Sequence, residues 1–112
     1  FQRTNIEPRQ WIAEVIREKI FIQMEKEIPY GVAVEVQELE ERETKKGEPV
    51  LYVAAEILTA YPNHKKMLIG AGGRKIKALG EAARKELELA LQSKVFLDLE
   101  VAVDLRWPAR LL

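Results

Sequence analysis

Val95, Leu97, Leu99, Val101 and Val103 alternate with Phe96, Asp98, Glu100, Ala102 and Asp104, five consecutive matches to a two-residue period. Successive side chains of a strand point to opposite faces, so this segment predicts a strand with one apolar face. Such a strand needs sheet partners and a layer to cover it. The preceding segment follows a different period. Ile76, Leu79, Ala83, Leu87 and Ala90 recur at helical spacing, which predicts a helix over about Arg74 to Gln92. A helix leading directly into a half-buried strand restricts the chain to an architecture of helices on a sheet.

The rest of the chain supplies the missing layers. Pro8 suits the first turn of a helix, where its missing N–H costs nothing. Trp11, Ile12, Val15, Ile16, Ile20 and Met24 then predict a helix over about Arg9 to Lys26, stopped near Ile28-Pro29 because proline disfavours helix in the residue before it. Val32, Val34 and Val36 alternate with polar or small residues, as in a strand. The charged stretch Glu38 to Glu48 contains a turn signal at Thr44-Lys45-Lys46-Gly47, so its acids are expected at a solvated hairpin tip. Val50 to Ala60 reads as a second strand pairing back antiparallel, since the connection is short. After Pro62, Asn63 is a candidate N-cap for a short helix over about His64 to Ile69. Trp107-Pro108 ends the last strand. The order is α-β-β-α-α-β, an α+β domain with a three-stranded, antiparallel or mixed sheet, helices packed on one face and the other face open to water.

Composition narrows the function. The 112 residues fit one domain, and 47% apolar residues suffice for a core. No cysteine is present, which excludes disulfides and thiolate metal sites and accords with a reducing, cytoplasmic setting. The single histidine, His64, argues against multi-histidine metal sites and a Ser-His-Asp site, and reads as structural. Neither a secretory apolar segment nor a run near the ~20 apolar residues of a membrane span occurs. The chain opens on Phe1, as a fragment of something longer would.

Net charge is zero, with 18 Lys and Arg against 18 Asp and Glu, but the charge is segregated. Seven bases and one acid lie between His64 and Lys85, against nine acids and four bases between Glu25 and Glu56. A phosphate backbone responds to a local basic patch rather than to the sum. Within that patch two helices meet at Gly70-Ala71-Gly72-Gly73. Glycines permit positive φ and remove Cβ atoms that would hold a ligand away. The turn also exposes the N–H groups opening the next helix, an anion-binding end. Arg74, Lys75 and Lys77 add formal charge, with Lys66 on the other side. Ile69 and Ile76 flank the turn and are expected to anchor the helices on the core. Arg84 and Lys85 follow Glu81 at i+3 and i+4, so intrahelical pairing accounts for them. Trp11, Trp107, Tyr30 and Tyr61 read as packing residues.

The run Ile69-Gly70-Ala71-Gly72-Gly73-Arg74-Lys75-Ile76 resembles the Ile-Gly-x-x-Gly-x-x-Ile motif of the KH family, and the element order resembles its type II, prokaryotic form. Arg17 to Ile20, Glu27 to Tyr30 with Val32 to Glu35, Glu81 to Lys85, and Lys94 to Leu99 further resemble the C-terminal domain of Era-family GTPases. That resemblance runs from about Trp11 to Trp107, leaving 1–8 as a linker remnant, 9–107 as the KH domain and 108–112 as a tail. It implies binding of single-stranded RNA at the 3′ end of 16S ribosomal RNA, and a role in assembly of the small ribosomal subunit. It also implies a GTPase domain as a partner in the full-length protein. The implied RNA-binding residues are Lys66, Ile69, Gly70, Ala71, Gly72, Gly73, Arg74, Lys75, Ile76 and Lys77, with no cofactor. Ala71 departs from the family, which often carries a polar residue there, and this shifts the electrostatic work to Lys66, Arg74 and Lys75. No G-x-x-x-x-G-K-[S/T] loop occurs, so no nucleotide hydrolysis is expected. Two alternatives stay open: a protein-interaction or regulatory domain on a KH scaffold, and a KH domain of another ribosomal or transcription protein.

Overall fold

The computed structural model describes residues 7–24 and 31–104. The order is α1 (Pro8–Gln23), β1 (Val32–Glu43), β2 (Pro49–Thr59), α2 (Pro62–Ile69), a single 3-10 turn (Ala71–Gly73), α3 (Arg74–Leu91) and β3 (Val95–Val103). The helix end at Lys26, the stop at Ile28-Pro29, Tyr30, and the strand end at Trp107-Pro108 lie outside the described residues.

Pro8 takes the first helical position of α1, and the Glu7 side chain accepts from the Arg9 N–H at 3.1 Å. Ile12, Val15, Ile16 and Ile20 share one face and are buried. They meet Val53 and Ile57 of β2 and Leu79, Ala83 and Leu87 of α3 in one core. Each fully buried side chain of this size contributes about 1.5–3 kcal/mol of transfer free energy. Two polar ties join α1 to α3. Lys19 pairs with Glu86 at 2.5 Å, and Gln23 Nε2 donates to the Lys75 carbonyl at 2.5 Å.

The sheet order is β1-β2-β3, with β1 antiparallel to β2 and β2 parallel to β3, so the sheet is mixed. A parallel pair needs a long crossover, which the α2–α3 unit provides. The hairpin departs from the sequence expectation. Glu38, Glu40, Glu41 and Glu43 are not at the tip; they lie on β1, still exposed to water. A register shift between Val36 and Glu38 is the reason. Val32, Val34 and Val36 face the helices before it, and Leu39 returns to that face after it. The extra residue inverts the apolar parity, so the two-residue pattern breaks where the strand continues. The turn itself is tied by the Thr44 N–H to the Glu48 carbonyl and the Gly47 N–H to the Thr44 carbonyl, both 2.8 Å.

Asn63 is not the N-cap of α2. Tyr61 holds that position, with Pro62 opening the helix, because the fixed φ of proline is already helical. His64 packs edge-on against Tyr61 at 5.0 Å, and the Tyr61 ring lies over Gly31, so both serve packing. Trp11 packs against the core. The helix after the glycines ends at Leu91, and Gln92 caps it in the left-handed region at φ 55°.

Candidate nucleic-acid interface

Gly70, Gly72 and Gly73 all have positive φ, at 75°, 62° and 75°. Gly70 is the most constrained. Its ψ of 173° places it in a region open essentially to glycine alone. A Cβ there would come within 2.6 Å of Lys75 Cγ and 3.1 Å of the Lys75 backbone nitrogen. Gly72 has nothing within 4 Å of an added Cβ, so it forms an open tip. The Gly73 N–H closes the turn on the Gly70 carbonyl at 3.1 Å. Gly73 is then the N-cap of α3 and supplies no side-chain cap. The 18-residue helix α3 therefore begins with first-turn N–H groups that no side chain covers, at the positive end of its dipole.

Lys66, Arg74, Lys75 and Lys77 are exposed and form no salt bridge among the described residues. Their charge is available to a ligand. Arg84 is different, since it pairs with Glu81 and Glu88, each at 3.0 Å, as the spacing led us to expect for Glu81. Lys85 does not make the pair with Glu81 that its spacing allowed.

Ile69 and Ile76 are not the core anchors. Leu68 and Leu79, each 1% exposed, hold α2 and α3 on the core instead. Ile69 is one residue, about 100° of helix rotation, from Leu68, and Ile76 is three residues, about 60°, from Leu79, so both isoleucines sit at the rim of the core and are only half-buried. There they line two clefts. Ile69 and Gly70 line one with Lys65, Lys66 and Val103, between α2 and the end of β3. Ile76 and Lys77 line another of about 330 Å³ with Gly80, Leu97 and Leu99, between α3 and β3. Gly80 faces the strand: a Cβ there would stand 3.7 Å from Leu99 Cδ1, an ordinary packing contact. Because β3 is an edge strand, the two clefts follow its free edge away from the glycine loop. The arrangement joins a glycine loop at the positive end of α3, unpaired cations and a cleft whose apolar side chains, Ile76, Leu97 and Leu99, are bordered by Glu81, Arg84 and Asp98.

The sequence reading grouped the loop with Lys66, Arg74, Lys75 and Lys77, which the structure also places around it, and did not single out Lys65, Gly80, Leu97, Leu99 or Val103, which line the two clefts. Gly80 had a signal, a glycine inside a helical pattern. The strand residues had none, because only the parallel pairing makes β3 an edge beside α3.

A family model described as KH domain matches residues 27–107. The chain is 45% identical over 96 residues to GTPase Era of Halothermothrix orenii, covering 86% of this chain and 31% of that protein. GTPase Era of Alkaliphilus oremlandii is 44% identical over 96 residues, covering 86% and 32%. Two solved structures superpose closely. A variant of Aquifex aeolicus Era bound to GDP and AlF4− gives a TM-score of 0.83 at 33% identity, covering 96% of this chain and 35% of that one. Era in complex with MgGDPNP and nucleotides 1506–1542 of 16S ribosomal RNA gives 0.84 at 33% identity, covering 95% and 34%. The chain spans about a third of the length of the curated relatives it matches.

Proposed function

Because this chain belongs to the KH domain family, we propose that it is the single-stranded-RNA-binding part of an Era-like GTPase. Its target is the 3′ end of 16S ribosomal RNA, and its setting is assembly of the small ribosomal subunit in the cytoplasm. The observation that carries this reading is the uncapped start of α3 behind Gly70, Gly72 and Gly73, flanked by unpaired Lys66, Arg74 and Lys75. The crystal structure of Era with a 16S ribosomal RNA segment supports the choice of target.

In this reading the domain comprises residues 9–107. The main-chain N–H groups of Ala71 and Gly72 hold a phosphate at the positive end of α3, those of Gly73 and Arg74 being bonded within the turn. Lys66, Arg74, Lys75 and Lys77 neutralise its neighbours. Ile69 and Ile76, with Leu97 and Leu99, form the floor for bases, which gives moderate sequence preference. The chain carries no catalytic step; nucleotide hydrolysis belongs to a GTPase domain, its partner in the full-length protein. No described helix is long and apolar enough to cross a membrane.

One observation favours a protein-interaction role on the same scaffold: Glu35, Glu56 and Glu100 form one cross-strand row on the sheet face away from the helices. Salt dependence and sequence preference separate the readings. Fluorescence anisotropy of a 16S 3′-end RNA and a scrambled RNA, at 50 and 200 mM salt, is the test. Three phosphates neutralised on a single strand give a slope near −2, or about 20-fold weaker binding across that range. Tighter, salt-sensitive binding to the ribosomal sequence is expected. Equal binding to both RNAs removes the specific target, and no binding removes the RNA reading.

A further inference from the structure

The RNA path does not end with the groove beside α3. Arg84 lines that groove and also a second cleft at the start of β3, lined by Arg42, Tyr52, Glu88, Lys94, Val95 and Phe96. The two are therefore adjacent along the free edge of β3. Parallel register places Tyr52 beside Phe96, and their rings stack at 5.5 Å between centroids with planes 13° apart. On the far side of Tyr52, the Arg42 guanidinium lies 3.7 Å from the ring centroid. Arg42, Tyr52 and Phe96 are thus three planar groups stacked across the three strands. The series stops at Phe96 because β3 is the edge strand, and no further strand covers its outer side among the described residues. Phe96 is 56% exposed.

On the outer face of β3 the equivalent positions carry Asp98 and Glu100, so Phe96 with its stacked Tyr52 is the apolar group of that row. Its π face suits another planar group. The local charge is mixed: Glu40 is paired with Arg42, Glu88 accepts from the Val95 N–H and pairs with Arg84, and Lys94 stands at the same cleft, while Glu43 there and Asp98 in the adjoining groove form no salt bridge among the described residues.

We infer that Phe96, backed by Tyr52 and Arg42, is a base-stacking platform that extends the RNA site beyond the glycine-loop groove. The inference rests on the RNA-binding reading above. From Val103, beside the loop, to Phe96 is about 23 Å of strand. A KH loop clamps four nucleotides. A longer RNA held at the loop and running along the β3 edge brings a further base to Phe96. Stacking of this kind tolerates any base, so the platform adds affinity and length dependence rather than sequence preference.

The test uses the 112-residue chain. Four-nucleotide RNAs tiled across the 3′ end of 16S ribosomal RNA define the minimal site. That RNA is then lengthened by four nucleotides on the 5′ or the 3′ side, and affinities are measured by isothermal titration at low salt. One lengthened RNA should bind about tenfold more tightly than the minimal one, the scale of a single stacked base. Phe96→Ala and Phe96→Leu should remove that gain, and Phe96→Trp should keep it. All three should bind the minimal RNA like the unaltered protein, which also verifies their folding. If neither lengthened RNA gains, or if Phe96→Ala keeps the gain, the platform is refuted while RNA binding stands. If no RNA binds at all, the RNA reading falls and the platform with it.

Discussion

Substituting Gly72 separates the loop's backbone from its electrostatics. Gly72 is exposed, with φ 62° and ψ 19°, and an added Cβ meets nothing within 4 Å. Asp and Asn are the non-glycine residues that best tolerate this left-handed conformation. Gly72→Asp and Gly72→Asn should each cost about 1 kcal/mol of stability, or roughly 4 °C in Tm for a domain of this size. The aspartate also brings a carboxylate near the phosphate position. At an effective dielectric between that of water and of a protein surface, like charges about 4 Å apart repel by roughly 2 kcal/mol. Binding of the aspartate variant to RNA should therefore be about 30-fold weaker than that of the asparagine variant. Anisotropy measures the affinities, and circular dichroism melting measures the stabilities. Gly70→Ala should behave in the opposite way. Its ψ of 173° and the close Lys75 backbone make it costly to fold, by about 2 kcal/mol, although alanine adds no charge. Equal RNA affinity for Gly72→Asp and Gly72→Asn would refute the placement of phosphate at the tip. A Gly70→Ala protein as stable as the original would refute the strain argument.

Arg74→Ala should weaken binding to all RNAs alike and flatten the salt slope by about 0.7, read from anisotropy titrations over several salt concentrations. Glu56 lies in register between Glu35 and Glu100 and accepts from Gln37 at 3.3 Å, so Glu56→Gln should keep that bond and relieve repulsion. It should raise stability by about 0.5 kcal/mol, less in high salt, as measured by chemical denaturation. The Val95 N–H, donating at 2.8 Å, and then the Arg84 guanidinium hold the Glu88 carboxyl below the usual carboxylate range. A lowered folded-state value means stability that is present above the usual range and is lost as pH falls through the folded value. Glu88→Gln should lose about 1 kcal/mol at neutral pH, and its stability should vary less with acid over that window in pH-dependent melts.

Much of this fold is written in local patterns. The periods of α1, α3 and β3 follow from which residues must face a core, and a single chain can state them without knowing its partners. The glycine loop was equally legible, because positive φ leaves a compositional mark and the cations beside it are neighbours in sequence. The continuation of β1 was not legible. One extra residue at Gln37 inverted the apolar parity, and only pairing with β2 shows that Leu39 rejoins the inner face. The start of α2 was misread for a related reason, since Pro62 competes with Asn63 for the boundary and wins by its fixed φ. The anchoring role assigned to Ile69 fell one helix position, about 100°, from Leu68, and that assigned to Ile76 fell three positions, about 60° of rotation, before Leu79.

The sequence by itself determined the element order, the glycine loop and the basic segment, since each depends on residues close together in the chain. The tertiary structure alone decided that β3 pairs parallel to β2 and lies at the edge, and that Arg42, Tyr52 and Phe96 stack across three strands. The pairing of β3 with β2, and with it the Tyr52–Phe96 stack, rests on strand register, which brings residues more than forty positions apart into contact and which no local period encodes.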